Sequence, residues 1–269
     1  MKIVPDKQRE LYQQEGYFIL PGVIPADVLS MLREECSYYL GYYDSMMDTK
    51  GVKTEGISHR GKRYFINNRY RLSNRLWEFI FSPLMAEVAQ AALGPDVYLF
   101  HEQWVVKGAE QGMKFSWHQD SGYVKWYDPK TKHKPYLTCW CTLDDVSEAN
   151  GTVYILPHSR AGTRDRIIDH VKEEGSNDLI GYTGGDPGDP LIVPAGSVVG
   201  FTSYVLHRSG PNTTNRMRRI YLPQYSAEPI RRPDGKPWAM ATPFIKDGKV
   251  IYNYSEDSAE KFGPFPEKK

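Results

Sequence analysis

The chain has 269 residues, of which 40% are hydrophobic and 25% charged, a composition typical of a soluble globular protein. Its 34 basic and 33 acidic residues leave a net charge of +1 and form no basic block that would follow the phosphates of a nucleic acid. The sequence contains neither an apolar run that could cross a bilayer nor a secretory signal. We therefore expect a cytoplasmic protein that binds neither nucleic acid nor membrane.

Helical patterns dominate the first third of the chain. Helices are predicted from Asp6 to Gln14, from Pro25 to Leu40 and from Asn74 to Ala92, because apolar residues recur there at helical spacing. The residues YFIL at 17–20 read as a short strand. The polar segment Tyr43 to Lys62 has no periodicity, which predicts a mobile loop or a lid.

Short strand-like runs follow residue 95, separated by turn signals such as Asn150-Gly151 and Gly210-Pro211. This pattern predicts a β-sandwich or barrel with the preceding helices on one face. One domain is the default at this length: a helical part of about 1–95, a β core of about 96–228 and an extension at 229–269. The long insertion Ala161 to Pro190 is expected to be a second lid.

Alternation predicts two different faces for the segment Tyr136 to Leu143. One face carries Cys139 and Cys141 with two leucines, and the other carries Thr138 and Trp140. Cysteines two positions apart on one strand have poor geometry for a mutual disulfide, so we expect reduced, buried thiols. The mixed polar face suits a lined interior, although core packing of Trp140 explains it equally well.

The stretch FSWHQDSGYV places a histidine and an aspartate two positions apart. On a strand, His118 and Asp120 would project to the same side, about 6.6 Å apart along the chain. An Fe(II) site that must also bind a cosubstrate and O2 uses two imidazoles and one carboxylate and keeps three positions open. The motif therefore calls for a second histidine, and His207, at a strand end before a turn, is the best placed.

The other histidines receive structural interpretations. Three fall in polar segments and are predicted to be solvated: His59, His133 and His170. His101 near a strand centre and His158 at a strand end are expected to be satisfied structural residues.

Three motifs in order resemble the phytanoyl-CoA dioxygenase family of Fe(II)- and 2-oxoglutarate-dependent oxygenases. They are WHQD, WCTLDDVSEANGTVYILPHS and GSVVGFTSYVLHRSGPNTTNRMRRIYLPQYS, and the opening YQQEGYFILPGVI extends the likeness. It covers Gln8 to about Glu228. The resemblance implies a mainly β fold, a double-stranded β-helix (jelly roll, cupin-like) with N-terminal helices.

The resemblance also implies roles for individual residues. The implied iron ligands are His118, Asp120 and His207, and the residues implied to bind 2-oxoglutarate are Arg218, Ser209, Trp140, Gln103 and Lys107. Alternation turns Arg218 inward and Arg219 outward and leaves Arg216 on the inner face; the eleven-residue spacing from His207 matches Arg218. The chain departs from the family pattern at His158 and Arg160.

The implied reaction is hydroxylation, or a related oxidation, of an unactivated C–H bond in a small molecule, with Fe(II), 2-oxoglutarate and O2 consumed or bound and succinate and CO2 released. Because Asp120 is present, halogenation is disfavoured. Two alternatives remain: a cupin-like metal-binding protein with a degenerate site, and a non-oxygenase metalloenzyme with the same ligands. The non-oxygenase metalloenzyme would leave the role of Arg218 unexplained.

Substrate identity is not encoded in a recognisable motif. The residues expected to line the substrate pocket are Tyr123, Lys125, Trp126, Arg164, Arg166, Arg63 and Asn67, each of which could equally lie on the surface. Their cations favour a polar or anionic substrate. A monomer or a homodimer is expected.

Overall fold

The structure, a computed structural model, describes residues 2–257. Within that range, helices pack on one side of a large antiparallel β-sheet and a smaller sheet lies on the other side. The helices are α1 Asp6–Glu15, α2 Ala26–Thr49, α3 Leu76–Ile80, α4 Pro83–Leu93, α5 Asp120–Tyr127 and α6 His158–Ala161, with 3-10 turns at Tyr70–Leu72 and Tyr254–Glu256.

The strands of the described chain form two main sheets and one small pair. Their bounds are β1 Tyr17–Leu20, β2 Thr54–Glu55, β3 Ser58–His59, β4 Arg63–Asn67, β5 Val97–Lys107, β6 Phe115–His118, β7 Leu137–Thr142, β8 Val153–Leu156, β9 Val171–Lys172, β10 Leu179–Ile180, β11 Asp189–Pro190, β12 Val198–Thr202, β13 Leu206–Ser209, β14 Arg218–Ser226, β15 Thr242–Lys246 and β16 Lys249–Val250. The larger sheet has the order β1-β12-β7-β14-β5-β4-β3-β2, with β15 and β16 added at β5. The smaller sheet has the order β11-β8-β13-β6, and β9 pairs with β10.

The larger sheet separates two apolar cores. On its outer side, α2 contributes a stripe of buried side chains at helical spacing: Leu32, Cys36, Tyr39, Tyr43 and Met47. On its inner side, residues such as Val105, Ile220 and Phe201 pack against Val153 and Ile155 of the smaller sheet. Two antiparallel sheets that share an inner core match the jelly roll expected from the sequence.

The alternation predicted for β7 is confirmed. Cys139 and Cys141 lie in the helix-side core with no exposed surface and no disulfide, whereas Trp140 lies in the inner core. One strand therefore contributes to both cores because its successive side chains point to opposite faces.

Several boundaries differ from the expectations. The helix expected from Asn74 to Ala92 is broken in two, because Pro83 begins α4 and Ser82 caps it by accepting from the Met85 N–H. Helix α2 extends to Thr49, and β2 and β3 follow it, so the loop expected at Tyr43 to Lys62 is wrong over most of its length. Within the expected C-terminal extension, Thr242–Lys246 forms β15 and pairs with β5 of the larger sheet.

We expect Leu32→Ala to lower the free energy of unfolding by about 2–5 kcal/mol, because it leaves a cavity in the helix-side core. Tyr38→Ala on the same helix is the matched control: Tyr38 is 59% exposed, and its loss should cost less than about 1 kcal/mol. Urea unfolding of the two variants measures the difference. Equal destabilisation would contradict the packing of α2 described above.

Candidate metal centre and its cavity

Three metal-binding side chains meet between the two sheets. His118 ends β6 and His207 lies directly opposite it on the antiparallel neighbour β13. Asp120 is the first residue of α5, and its Oδ1 lies 3.6 Å from the Nε2 atom of each histidine. The side-chain ligand atoms all lie within 4.8 Å of one another. The expectation that Asp120 shares a strand with His118 is wrong: the chain turns into a helix after Gln119, and this turn brings the carboxylate to the imidazoles.

Both imidazoles present the same nitrogen to this point. His118 donates its Nδ1 hydrogen to the Ser116 carbonyl at 2.8 Å, and His207 donates to the Val205 carbonyl at 3.2 Å. These bonds select the tautomer that leaves each Nε2 lone pair free to bind a metal. Burial lowers the pKa of His207 to about 4, which keeps that imidazole neutral at physiological pH. Two imidazoles and a carboxylate fit a divalent transition-metal ion.

The carboxylate of Asp120 is fixed by its second oxygen. Oδ2 accepts hydrogen bonds from Thr138 at 2.5 Å and from the Gln224 amide at 3.0 Å, which leaves Oδ1 directed at the histidines. Burial would raise the pKa of Asp120, but the two imidazoles and Thr138 outweigh it and lower the pKa to about 2. Sequence reasoning missed Thr138 and Gln224 as supports of the site.

A cavity of about 190 Å³ adjoins the metal centre. Inward-facing residues of β5 and β14 form one wall of it, among them His101, Gln103, Val105, Lys107, Arg218, Leu222 and Gln224. All the residues implied to bind 2-oxoglutarate line this cavity: Arg218, Ser209, Trp140, Gln103 and Lys107.

Arg218 is a buried cation with unused hydrogen-bond donors. Its side chain is fully buried, and Nη2 donates to the Gly151 carbonyl at 3.0 Å, while Nε and Nη1 have no hydrogen-bond partner among residues 2–257. Burial lowers its pKa to about 9, so the guanidinium remains charged at neutral pH. Such a group needs an anion to offset its desolvation, and a carboxylate matches its paired donors.

The neighbouring arginines do not compete for this position. Arg219 faces away from the cavity and binds Asp144 through two nitrogens, the shorter contact being 2.7 Å. Arg216 is exposed and lies before β14 begins. The inward direction expected for Arg218 is confirmed, and the structure closes the alternative that Arg216 occupies the inner face.

Lys107 lies beside Arg218 but differs in its bonding. Its Nζ donates to the carbonyls of Met113, at 2.7 Å, and Gly210. Burial, and then the charges of Arg218 and Arg63, place the pKa of Lys107 well below its ordinary value. Arg218 is therefore the better anion partner of the two.

The residues expected to contact substrate divide into three groups. Tyr123, Asn67 and Arg63 line the cavity, but Arg63 is fully buried and pairs with Asp178 at 2.5 Å. Trp126 lies on an adjoining groove. The remaining three lie away from the cavity lining: Lys125 pairs with Asp169, Arg164 bonds the Gln14 carbonyl and Arg166 bonds the Gly162 carbonyl. For those three, the expected place in the pocket is wrong.

Two histidines differ from their structural interpretations. His170 is buried rather than solvated, because its Nε2 accepts the Gln119 N–H at 3.0 Å and its ring occupies the space that a Cβ at Gly122 would need. His101 lines the cavity, and its buried Nδ1 has no hydrogen-bond partner in the part of the chain that the structure describes. Alternation on β5 with Gln103 and Lys107 was a signal that could have identified His101 as an inward residue.

The insertion 161–190 is anchored at several buried points. Asp178 binds both terminal nitrogens of Arg63, and the Gln119 side chain bonds the carbonyl of Arg166 and the N–H of Ile168. Such contacts differ from the sparse contacts of a freely moving lid. The insertion is thus held against β4 and α5, and it lines the groove next to the cavity through Lys172, Asn177 and Leu179.

The known proteins that this chain resembles are named as dioxygenases and hydroxylases. The family model described as phytanoyl-CoA dioxygenase (PhyH) matches residues 12–220. Peroxisomal phytanoyl-CoA dioxygenase of Mus musculus is 23% identical over 79% of this chain and 65% of its own length. L-proline trans-4-hydroxylase of Streptomyces griseoviridis is 29% identical over 56% of this chain and 65% of its own length. The chain thus spans slightly less than two thirds of each of these two relatives.

Solved structures share the fold. EvdO2 from Micromonospora carbonacea var. aurantiaca, complexed with 2-oxoglutarate, superposes with a TM-score of 0.64 at 24% identity and covers 88% of this chain and 98% of its own. The epimerase SnoN in complex with Fe3+, alpha ketoglutarate and nogalamycin RO gives 0.61 at 17% identity, covering 90% and 96%. These likenesses confirm the jelly-roll core. Among residues 2–257, no helix has the length and apolarity needed to span a membrane.

We expect His118→Ala and His207→Ala each to abolish iron retention, because two remaining ligands cannot hold Fe(II) against water. His59→Ala is the control, since His59 lies outside the cluster and bonds the Ser176 carbonyl. Iron content after anaerobic loading and gel filtration gives the answer, with circular dichroism to verify folding. A folded His207→Ala protein that retains iron would contradict the assignment of His207 as an iron ligand.

Burial also predicts a pH dependence for the metal-free protein. It lowers the pKa of His101, His170 and His207 to about 4, whereas an unfolded histidine titrates near 6.5. Above pH 6.5 neither state is protonated; between about 6.5 and 4 the unfolded chain alone takes up protons, so stability falls as the pH falls. We expect a loss of about 2 kcal/mol per histidine at pH 5 relative to pH 7.

Urea midpoints at pH 7 and pH 5 measure this dependence. His170→Gln should make it shallower, because one of the three histidines no longer titrates. The same pH dependence in the wild type and in His170→Gln would show that His170 is protonated freely in the folded state.

Proposed function

The chain belongs to the phytanoyl-CoA dioxygenase family, and we propose that it is an Fe(II)- and 2-oxoglutarate-dependent dioxygenase that hydroxylates or otherwise oxidises an unactivated C–H bond of a small molecule. The observation that carries the proposal is one cavity that holds both a two-histidine, one-carboxylate cluster and a buried arginine with unpaired donors. The first suits a ferrous ion and the second a dicarboxylate.

His118, Asp120 and His207 would hold the iron through Nε2, Oδ1 and Nε2. When bound, iron and 2-oxoglutarate together supply the activation of O2 that C–H oxidation requires, with succinate and CO2 as products. The protein keeps the three ligands in register through the backbone bonds of both histidines and the contacts of Thr138 and Gln224 to Asp120. The Asp120 carboxylate would also take the coordination position that a halide needs, which favours oxygenation over halogenation.

Arg218 would bind the far carboxylate of 2-oxoglutarate through Nε and Nη1. The guanidinium carbon of Arg218 lies over the Trp140 ring, 5.7 Å from the ring centroid, and this contact helps to hold the guanidinium in place. Ser209, Gln103 and Lys107 would complete the cosubstrate site. Apolar neighbours such as Leu222 and Phe201 exclude water, which strengthens the charge pairing.

Alternatives of another class account for less of the site. A cupin-like metal-binding protein or a hydrolase could use the three ligands. Neither gives a purpose to Arg218, whose desolvated charge costs stability unless an anion binds it.

The substrate is proposed to be a polar or anionic small molecule. The rim of the site carries more cations than acids, and the structural relative SnoN was solved with nogalamycin RO. A cytoplasmic location is proposed because the three cysteines are unpaired and buried, as suits a reducing compartment.

We expect Arg218→Ala to weaken 2-oxoglutarate binding by at least about 30-fold while iron binding is retained, because one charge-assisted pair in a buried site is worth about 2 to 5 kcal/mol. Arg216→Ala and Arg219→Ala should leave the affinity unchanged, since neither side chain lines the cavity. Calorimetric titration of the iron-loaded protein under anaerobic conditions measures the affinity for 2-oxoglutarate. Normal affinity in Arg218→Ala would overturn the proposed cosubstrate site.

The reaction class has its own test. Anaerobic addition of Fe(II) and 2-oxoglutarate should produce a weak visible charge-transfer band, and air should then yield succinate, faster in the presence of substrate from a metabolite extract. A metal-binding protein or hydrolase would give no band and no succinate.

A further inference from the structure

An open groove adjoins the cavity on the side of α2 and α5. Its volume is about 830 Å³, against about 190 Å³ for the cavity. The two spaces share the wall residues Ile57, Phe65, Asn67, Tyr123 and Tyr127, so a molecule in the groove can extend into the cavity. The cavity must also hold the cosubstrate and is small for a ligand pocket. The body of any sizeable substrate therefore lies in the groove.

The groove has aromatic walls. Trp126 and Tyr127 of α5 are 44% and 67% exposed, which is unusual for large apolar side chains that serve only packing. Tyr42, Tyr43 and Met46 of α2 line the opposite side. Ring faces on two walls favour a planar, unsaturated ligand that stacks between them.

Two cations that line the groove, Arg69 and Lys172, make no ion pair among residues 2–257, and of the two only Arg69 is partly buried. Arg69 lies just after β4, and among residues 2–257 its guanidinium makes no ion pair and its buried Nε has no hydrogen-bond partner. Its carbon lies 5.9 Å from the centroid of the Tyr42 ring, which orients it along the aromatic wall. Lys50, by contrast, is already paired with Glu55 at 2.7 Å.

Backbone hydrogen bonds fix the position of the main chain at Arg69. Asn68 adopts a left-handed conformation with φ of 56°, and the backbone N–H groups of Arg69 and Tyr70 both donate to the Glu102 carboxylate. The Glu102 carboxylate also interacts electrostatically with the Arg69 guanidinium. Its Oε1 is occupied by these two donors, and burial raises its pKa to about 7, so it offsets the arginine only in part. A positive site remains at the groove.

We propose that the groove binds the body of the substrate as a planar aromatic molecule and that Arg69 pairs with a carboxylate on that molecule. The inference that this ligand is a substrate rests on the proposed oxygenase function; the binding site itself does not. Bound in this way, the molecule would present its opposite end past Tyr123 and Asn67 toward the metal centre.

The test is direct binding of matched probes to the full-length protein loaded with Fe(II) and 2-oxoglutarate under anaerobic conditions. Calorimetry compares 2-naphthoate with the uncharged 2-naphthamide, which has the same ring system. We expect wild-type protein to prefer the carboxylate by at least about 10-fold, and Arg69→Gln to lose that preference while still binding the amide. Lys53→Gln removes an exposed cation that does not line the groove; it is the control and should keep the preference.

Each outcome decides a separate part of the proposal. Absence of binding by both probes would overturn the aromatic groove, and equal binding of the two, or a preference that survives in Arg69→Gln, would overturn the anion site. A melting curve and the charge-transfer band verify that Arg69→Gln is folded and retains iron and cosubstrate. If the band is absent from wild-type protein, the oxygenase function fails, whereas a band without naphthoate binding refutes the groove alone.

Discussion

The antiparallel pairing of β6 with β13 is the contact on which the rest of the site depends. It places His118 opposite His207, so the two imidazoles lie between the sheets with ring centroids 4.1 Å apart. A shift of this register by one residue would turn one imidazole to the other face of the sheet, so the three ligand side chains would no longer meet. Asp120 can then be supplied by the first turn of a helix, because two ligands are already fixed by the sheet.

The two faces of strand β14 carry side chains with different roles. Its inner face carries Arg218, Ile220, Leu222 and Gln224, so a single strand reaches from the proposed anion site to the support of Asp120. Its outer face carries Arg219, paired with Asp144, and Tyr221 in the helix-side core. Period-two alternation thus keeps a buried charge and a structural ion pair on opposite sides of one sheet.

The sequence predicted the parts of the site that are local or carried by motifs. The metal ligands, the inward direction of Arg218 and the two faces of β7 could be read from spacing, alternation and the family resemblance. The turn after Gln119 could not, because HQD fits a strand as well as a helix start. Pro83 was the signal for the broken helix and was overlooked.

Contacts between distant parts of the chain were beyond sequence reasoning. The Gln224 amide reaches Asp120 across 104 positions, and Arg63 binds Asp178 across 115. Neither pair has a local pattern, and a buried arginine such as Arg63 looks in sequence like a solvated one. The same limit explains why Arg164 and Arg166 were expected in the pocket. The sequence shows that these side chains are charged, but it does not show in which direction they point.

The two faces of β7 also determine which side chains the oxidant of the proposed reaction could reach. The thiols of Cys139 and Cys141 are on the helix side of the sheet, while Trp140 and Tyr136 line the cavity. Sulfur, the side-chain element most easily oxidised, is thus shielded by the thickness of a sheet. Turnover without substrate would therefore leave its chemical trace as oxygen added to an aromatic ring, and the cysteines would stay reduced.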